Sequence, residues 1–296
     1  MKPIDFWILM GCCLAWATNF TVSAWVLGAY PVPPFMLAAV RAVIVLIIMG
    51  YMLFRPRPQH LARLLIVCAC VGPIHLGFLY SGLQTAPASG SSIVSQMLIP
   101  FAAVLSMIFL GEKIGWRRGL AILGALIGLV IMVYEPGALS ADIGLLYIVF
   151  AYLSLAVGSV VMKFVGDIDW KQYVAWMAVV ILICAAPVSF IFETGQAQVW
   201  AEAKVPLLIA ASYAAIFTSI LAHGQYFNLI RKYDVTQVVP MTLMVTVFAC
   251  ILGVVFLKET LYARYIWGAV FILPCVLYIA LRKVDGGKAP EVLPES

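Results

Sequence analysis

Charge is what this sequence lacks most. Asp, Glu, Lys and Arg make up 10% of its 296 residues, where a soluble domain carries about a quarter. With 65% of the residues hydrophobic, there is too little polar surface to coat a water-soluble body, so a bilayer must solvate most side chains. Apolar and polar residues do not alternate, which argues against a transmembrane β-barrel. A phosphate-binding glycine loop is missing and no room is left for a nucleotide domain, which excludes ATP hydrolysis as an energy source. Metal-ligand spacing is also missing, and no cofactor or metal is expected. The seven cysteines (Cys12, Cys13, Cys68, Cys70, Cys184, Cys250, Cys275) all fall within apolar runs, and neither Cys12-Cys13 nor Cys68-x-Cys70 has the partners of a metal site. They read as small apolar packing residues. Lastly, no Asp or Glu lies deep in an apolar run, so a carboxylate proton carrier is absent.

What is present is a series of ten long apolar runs: 6–28, 34–54, 62–83, 88–110, 117–134, 142–164, 172–193, 206–230, 236–257 and 263–282. A helix needs about 20 such residues to cross roughly 30 Å of hydrocarbon. The expected fold class is therefore an all-α integral membrane protein with ten transmembrane helices, antiparallel where connections are short. The first run does not read as a signal peptide, because it is too long for an h-region and carries Trp16, Thr18 and Asn19 near its middle. Basic residues sort by loop. Lys2; Arg55, Arg57 and Arg63; Lys113, Arg117 and Arg118; Lys163 and Lys171; Arg231 and Lys232; and Arg282, Lys283 and Lys288 share one side, against Lys204, Lys258 and Arg264 on the other. The positive-inside rule puts both termini in the cytoplasm. The net charge of +5 thus reports topology, and no nucleic acid partner is expected because no single face is basic.

The chain also repeats itself. FLGEKIGWR (109–117) and FLKETLYAR (256–264) match at Phe, Leu, Glu and Arg with a constant offset of 147 residues, each spanning the junction between the fourth and fifth helix of a group of five. Two five-helix repeats are expected, 1–137 and 138–285, with the break at Glu135-Pro136-Gly137 and a cytoplasmic tail, 286–296, expected to be disordered. Five is odd, so the second group enters the membrane from the opposite side. Inverted repeats of this kind recur in secondary transporters. With LAWATNF (14–20), Arg41, the FLGEK and FLKET segments and RKYDVTQVVP (231–240), the chain resembles the EamA-type members of the drug/metabolite transporter superfamily over nearly its whole length. The resemblance implies a ten-helix exporter or exchanger of small metabolites, with helices 1–4 and 6–9 around a central cavity and helices 5 and 10 peripheral. One departure stands out: the first helix has Trp16 and Asn19, while its counterpart SLAVGS (154–159) has Leu155 and Ser159, so the cavity is not expected to be symmetric.

Candidate site residues are the polar groups inside the runs. His75 lies 37 residues before Glu112 and His223 lies 36 before Glu259, so the two occupy nearly equivalent places in helices three and eight. Ionisable groups within spans usually face the bundle interior. Each imidazole either lines a cavity, with proton binding open to it, or bonds a neighbouring carbonyl as a neutral group. Tyr80 and Gln84 accompany His75; Tyr213, Gln225, Tyr226 and Asn228 accompany His223. Gln96, with Ser92 and Ser95, either lines the cavity or bonds between helices. Arg41 either attracts a substrate carboxylate or serves the structure. Trp16 and Asn19 face the same choice, and the resemblance favours lining for both. Five prolines (Pro73, Pro100, Pro187, Pro240, Pro274) are expected to interrupt helices; Pro100 and Pro240 are the hinge candidates. Gly124-x-x-x-Gly128 allows close packing, either on helix ten or in a homodimer.

These features favour a secondary transporter of the bacterial inner membrane, working by alternating access on a small molecule and exporting amino acids or their derivatives; the substrate class and the direction come from the resemblance alone. An importer or exchanger of another metabolite, such as a vitamin or nucleoside, is the alternative. A membrane enzyme would need reactive groups converging at one depth, and only scattered histidines are found. A channel would need a filter segment, and none is recognisable.

Overall fold

The computed structural model describes residues 1–111, 115–135, 140–233 and 235–281. Ten helices long and apolar enough to span a membrane build it: α1 (Pro3–Ala29), α2 (Pro34–Phe54), α3 (Leu61–Leu83), α4 (Ala88–Leu110), α5 (Trp116–Val133), α6 (Ile143–Met162), α7 (Trp170–Phe192), α8 (Lys204–Lys232), α9 (Val239–Leu257) and α10 (Ala263–Leu281). All ten expected runs are helical, with ends shifted by a few residues. Short helices, Gln196–Glu202 and Val235–Val238, precede α8 and α9. Between α5 and α6, Tyr134–Glu135 pairs antiparallel with Ser140–Ala141. Glu112 and Lys113 of the first motif copy, Pro136 and Gly137 of the expected break, and Arg282, Lys283, Lys288 and the tail 286–296 lie outside the described residues.

Local chemistry explains where the helices start and stop. Prolines open α1 and α2, where a missing N–H costs nothing. Asp142 and Asp169 cap α6 and α7, accepting from Leu145 N at 3.0 Å and Lys171 N at 2.9 Å. Helices α2 and α4 lack a local cap of this kind, and a distant carboxylate serves each. Glu193 accepts from Phe35 N (2.8 Å) and Met36 N (3.1 Å), and Glu259 from Ala88 N (2.6 Å) and Ser89 N (3.0 Å). A negative charge there also faces the positive end of the helix dipole. At their far ends α4 and α9 close with a left-handed residue, Gly111 (φ 65°) and Lys258 (φ 54°). These are the matched third positions of FLGEK and FLKET.

Helix packing crosses between the first five helices and the last five. Helix α5 packs on α10, α2 on α7, α4 on α9, α1 on α8 and α9, and α6 on α3 and α4. Exchanging each helix with the one five places along maps this set of contacts onto itself. Gly124 and Gly128 are used on α10: a Cβ at Gly124 would meet Cys275 Sγ at 2.7 Å, and one at Gly128 would meet the backbone oxygen of Gly268 at 2.9 Å. The close-packing motif therefore faces α10, and that face is not available for a homodimer seam. Large apolar side chains such as Ile47, Phe190 and Trp267 cover the outside of the bundle, where lipid is their natural solvent. The polar side chains that are buried gather between the helices.

Candidate functional site

Five helices leave α geometry inside their spans, α2 only in the 3₁₀ turn Gly50–Phe54 at its end. In α3 a π turn, Cys70–Ile74, ends one residue before His75; in α8 a longer π turn, Ala214–Ala222, ends one residue before His223. Such turns insert an extra residue and re-aim the side chains beyond it. Pro73 accounts for the first, because it cannot donate to the carbonyl four residues back. The second contains no proline; there Ser219 Oγ donates to Ala214 O (3.1 Å) and His223 Nδ1 bonds Thr218 O (2.5 Å), each five residues back. Helix α4 breaks at Gln96–Met97, where Pro100 cannot bond the Gln96 carbonyl, which takes Ile99 N at 3.3 Å instead. Helix α9 opens with a 3₁₀ turn, Val239–Leu243, that contains Pro240. Pro187 and Pro274, by contrast, lie within continuous helices and do not interrupt them. A single proline bends a helix whose remaining bonds persist.

Arg41 lies seven residues into α2, about 10 Å along its axis, and is 7% exposed. Its Nη1 donates to Tyr80 Oη of α3 at 2.9 Å; its Nε and Nη2 both donate to Ser219 Oγ of α8, at 3.2 and 2.7 Å. Each partner is a neutral hydroxyl. The ion pairs Arg55–Asp169, Lys232–Asp5 and Arg264–Asp142 all sit at helix ends. No carboxylate among the described residues pairs with Arg41. A guanidinium has five N–H donors, and these three bonds leave two for another acceptor. Tyr80 is fully buried, and its hydroxyl, having accepted from Arg41, retains a proton to donate.

One helical turn beyond Ser219, His223 packs edge-on against Trp16 of α1 (5.4 Å), which in turn packs against Tyr226 (5.2 Å). Ser219, His223 and Tyr226 follow the i, i+4, i+7 spacing of one helix face. Trp16 Nε1 and Thr218 Oγ1 are buried with no hydrogen-bond partner. His75 bonds Ala151 O of α6 through Nδ1 at 2.9 Å and packs edge-on against Tyr152 at 5.2 Å. The structure thus joins Arg41, Tyr80, His223, Trp16 and Tyr226 through α8, with His75 alongside on α3. Five helices contribute: α1, α2, α3, α6 and α8.

Other expected residues fall elsewhere. Gln96 donates to Thr246 Oγ1 (3.0 Å), and Thr246 to Ser92 O (3.1 Å), which stitches α4 to α9. Tyr213 bonds Ala15 O at 3.3 Å and stacks on Phe217, ten residues before His223 on the same helix. Asn19 is buried in α1, three residues on from Trp16. Sequence inspection missed Ser219, Thr218, Tyr152 and Thr246, because hydroxyls are common in apolar helices and carry no signal until a partner is known. Among the described residues no group of three His, Cys, Asp or Glu side chains is arranged to hold a metal ion.

Polar bonds between the first and last five helices also tie both ends of the bundle. At the N-terminal end, Asp5 of α1 meets Lys232 (2.5 Å) and the Tyr233 hydroxyl (2.6 Å), and Arg55 meets Asp169 at 2.9 Å. At the opposite end, Glu193 and Glu259 hold the starts of α2 and α4; within the last five helices, Arg264 of α10 bonds Asp142, the cap of α6, at 3.1 Å.

Comparison with known proteins agrees with this architecture. The model of the EamA-like transporter family matches residues 3–134 and 142–281. A probable amino-acid metabolite efflux pump of Escherichia coli (strain K12) is 24% identical over 288 residues, covering 94% of this chain and 95% of its own. An uncharacterized transporter of Synechocystis sp. is 26% identical over 292 residues, covering 90% and 87%. A solved crystal structure superposes with a TM-score of 0.60 at 19% identity, covering 95% of this chain and 97% of its own; at that identity it speaks to the fold alone.

Proposed function

The chain belongs to the EamA-like transporter family, and on that premise we propose that it is a secondary transporter exporting small amino-acid-derived metabolites across the inner membrane, with the cluster around Arg41 as its substrate site. Two relatives named as probable amino-acid metabolite efflux pumps, each 24% identical, support that substrate class and direction. The observation that carries the site is the buried guanidinium of Arg41, held by Tyr80 and Ser219 and lacking a carboxylate partner among the described residues. An in-span arginine is costly, and a carboxylate on the substrate relieves that cost with charge-assisted hydrogen bonds. Trp16, Tyr226, His75 and His223 add aromatic faces and a few polar atoms on α1, α3 and α8, the mix that small-molecule sites use.

Transport proceeds by alternating access. The two five-helix repeats, inverted relative to one another with both termini cytoplasmic, rock about the site. Breaks at Gln96–Met97, beside Pro100, and at the 3₁₀ turn around Pro240 give each repeat a hinge. The Asp5–Lys232–Tyr233 cluster closes the cytoplasmic mouth, and the Glu193 and Glu259 contacts close the outer one. Each is made and broken once per cycle.

The test is metabolite profiling of the medium around cells expressing the wild-type protein, the Arg41→Gln variant or an empty vector, with membrane abundance measured for both proteins. Accumulation outside of a carboxylate-bearing amino-acid derivative, lost in the variant, is the expected result. Depletion of a medium component would reverse the direction to import. Equal transport by an Arg41→Gln protein present at normal abundance would remove Arg41 from the site.

A further inference from the structure

The charge balance around Arg41 selects among carboxylates. The cluster holds one fixed positive charge and, among the described residues, no negative one bonded to it. The acidic side chains that bond elsewhere in the bundle do so at helix ends: Asp5 with Lys232, Asp142 with Arg264, Asp169 with Arg55, and Glu193 and Glu259 with helix N-termini. A bound monocarboxylate brings the buried site to neutrality. A zwitterionic amino acid leaves it at +1 and adds an ammonium with no carboxylate to meet. Burying an unpaired charge is among the costliest acts in a low-dielectric interior.

The neutral polar atoms point the same way. Each imidazole bonds a carbonyl through Nδ1, and a carbonyl only accepts, so Nδ1 carries the proton. In the neutral imidazole Nε2 is then an acceptor. Two neutral nitrogen acceptors suit an uncharged donor such as an amide N–H or a hydroxyl. The donors without partners, Trp16 Nε1 and Thr218 Oγ1, suit a carbonyl oxygen or the carboxylate itself. Among small metabolites a carboxylate, an amide N–H and an amide C=O occur together in an N-acylated amino acid.

Building on Arg41 as the substrate's partner, we infer that this site takes carboxylic acids whose nitrogen is acylated or absent, and discriminates against the free zwitterionic amino acid. The experiment measures binding to the purified wild-type protein by calorimetry for three matched probes: N-acetyl-L-phenylalanine, L-phenylalanine and N-acetyl-L-phenylalanine amide. Matched sets with leucine and alanine side chains are run beside them. In at least one set the N-acetyl acid is expected to bind at least about tenfold more tightly than the other two, the amide losing the charge-assisted bonds to Arg41 and the free amino acid burying an unpaired ammonium. Equal or tighter binding by the free amino acid overturns the inference but leaves Arg41 as the carboxylate's partner. Equal binding by the neutral amide removes the carboxylate from recognition, and with it both the inference and the site on which it rests. Absence of binding by every N-acetyl acid at millimolar concentration also overturns it. None of these comparisons requires a variant, so none depends on Arg41→Gln folding. Where that variant does fold, it should lose the preference for the acid over the amide.

Discussion

Glu259 offers the sharpest test of how the bundle is held, because its carboxylate does the work of a helix cap from 170 residues away. Its Oε1 accepts from Ala88 N at 2.6 Å and its Oε2 from Ser89 N at 3.0 Å. Both residues are fully buried, so removing the carboxylate strips two N–H groups of their protein acceptor in the closed bundle. Each such group costs about 1–3 kcal/mol, and neighbouring costs do not add fully. Glu259→Ala should therefore destabilise the protein by about 2–5 kcal/mol. Glu259→Gln keeps one acceptor but turns an amide donor towards the second N–H, so an intermediate loss is expected. A third variant reaches the same contact without touching the acid. A Cβ at Gly253 would lie 2.5 Å from Glu259 Oε2, so Gly253→Ala should push the carboxylate off α4.

Unfolding of the detergent-solubilised protein, tracked by tryptophan fluorescence against temperature and denaturant, measures all three. Glu202→Ala is the control, because Glu202 is exposed and accepts from Gln198 at 3.1 Å on the surface. A Glu259→Ala protein within about 0.5 kcal/mol of this control, the usual scatter for surface changes, would refute the capping argument. A neutral Gly253→Ala beside a damaging Glu259→Ala would show that the acid acts on something other than α4.

Two further outcomes rest on backbone geometry. Lys258 occupies the left-handed region (φ 54°) where its repeat counterpart is Gly111 (φ 65°), so Lys258→Gly should raise stability by about 1 kcal/mol in the same assay, and a clear loss would contradict it. Gly128→Val should destabilise by about 1–3 kcal/mol, since its Cβ would meet Phe271 Cβ at 2.8 Å and the immovable Gly268 oxygen at 2.9 Å. Gly119→Ala on the same helix, with nothing within 4 Å, should be neutral or stabilising by its helix propensity.

The spans were readable because the bilayer imposes them locally. A run such as Ile181–Ala185 needs no distant partner to be helical, only enough apolar neighbours to bury its backbone bonds. Polar partnerships have no such period. Arg41 stood out in the sequence as a charge in an apolar run, but nothing near it named the hydroxyls that hold it, Ser219, 178 residues on, and Tyr80, 39 residues on. FLKET was visible as a repeated motif, yet nothing in it named Ala88 as the target of its glutamate. The π turns were invisible for a different reason. They arise from a slip of one hydrogen bond, and only the one at Pro73 has a residue that announces it.

The two π turns set how the histidines are held. Each interrupts its helix one residue before an imidazole, and each imidazole is then held by a carbonyl: His75 by Ala151 of the facing α6, His223 by Thr218 of its own turn. The difference matters for motion. His75 is tied across the boundary between the two groups of five helices, while His223 is tied within its own helix and touches the other group through the ring of Trp16. A rocking movement between the groups must break or carry the first bond but can leave the second intact. The repeat that relates these helices in sequence is therefore not matched by equal bonding of the two histidines. The asymmetry begins where Trp16 stands in α1 and Leu155 in α6.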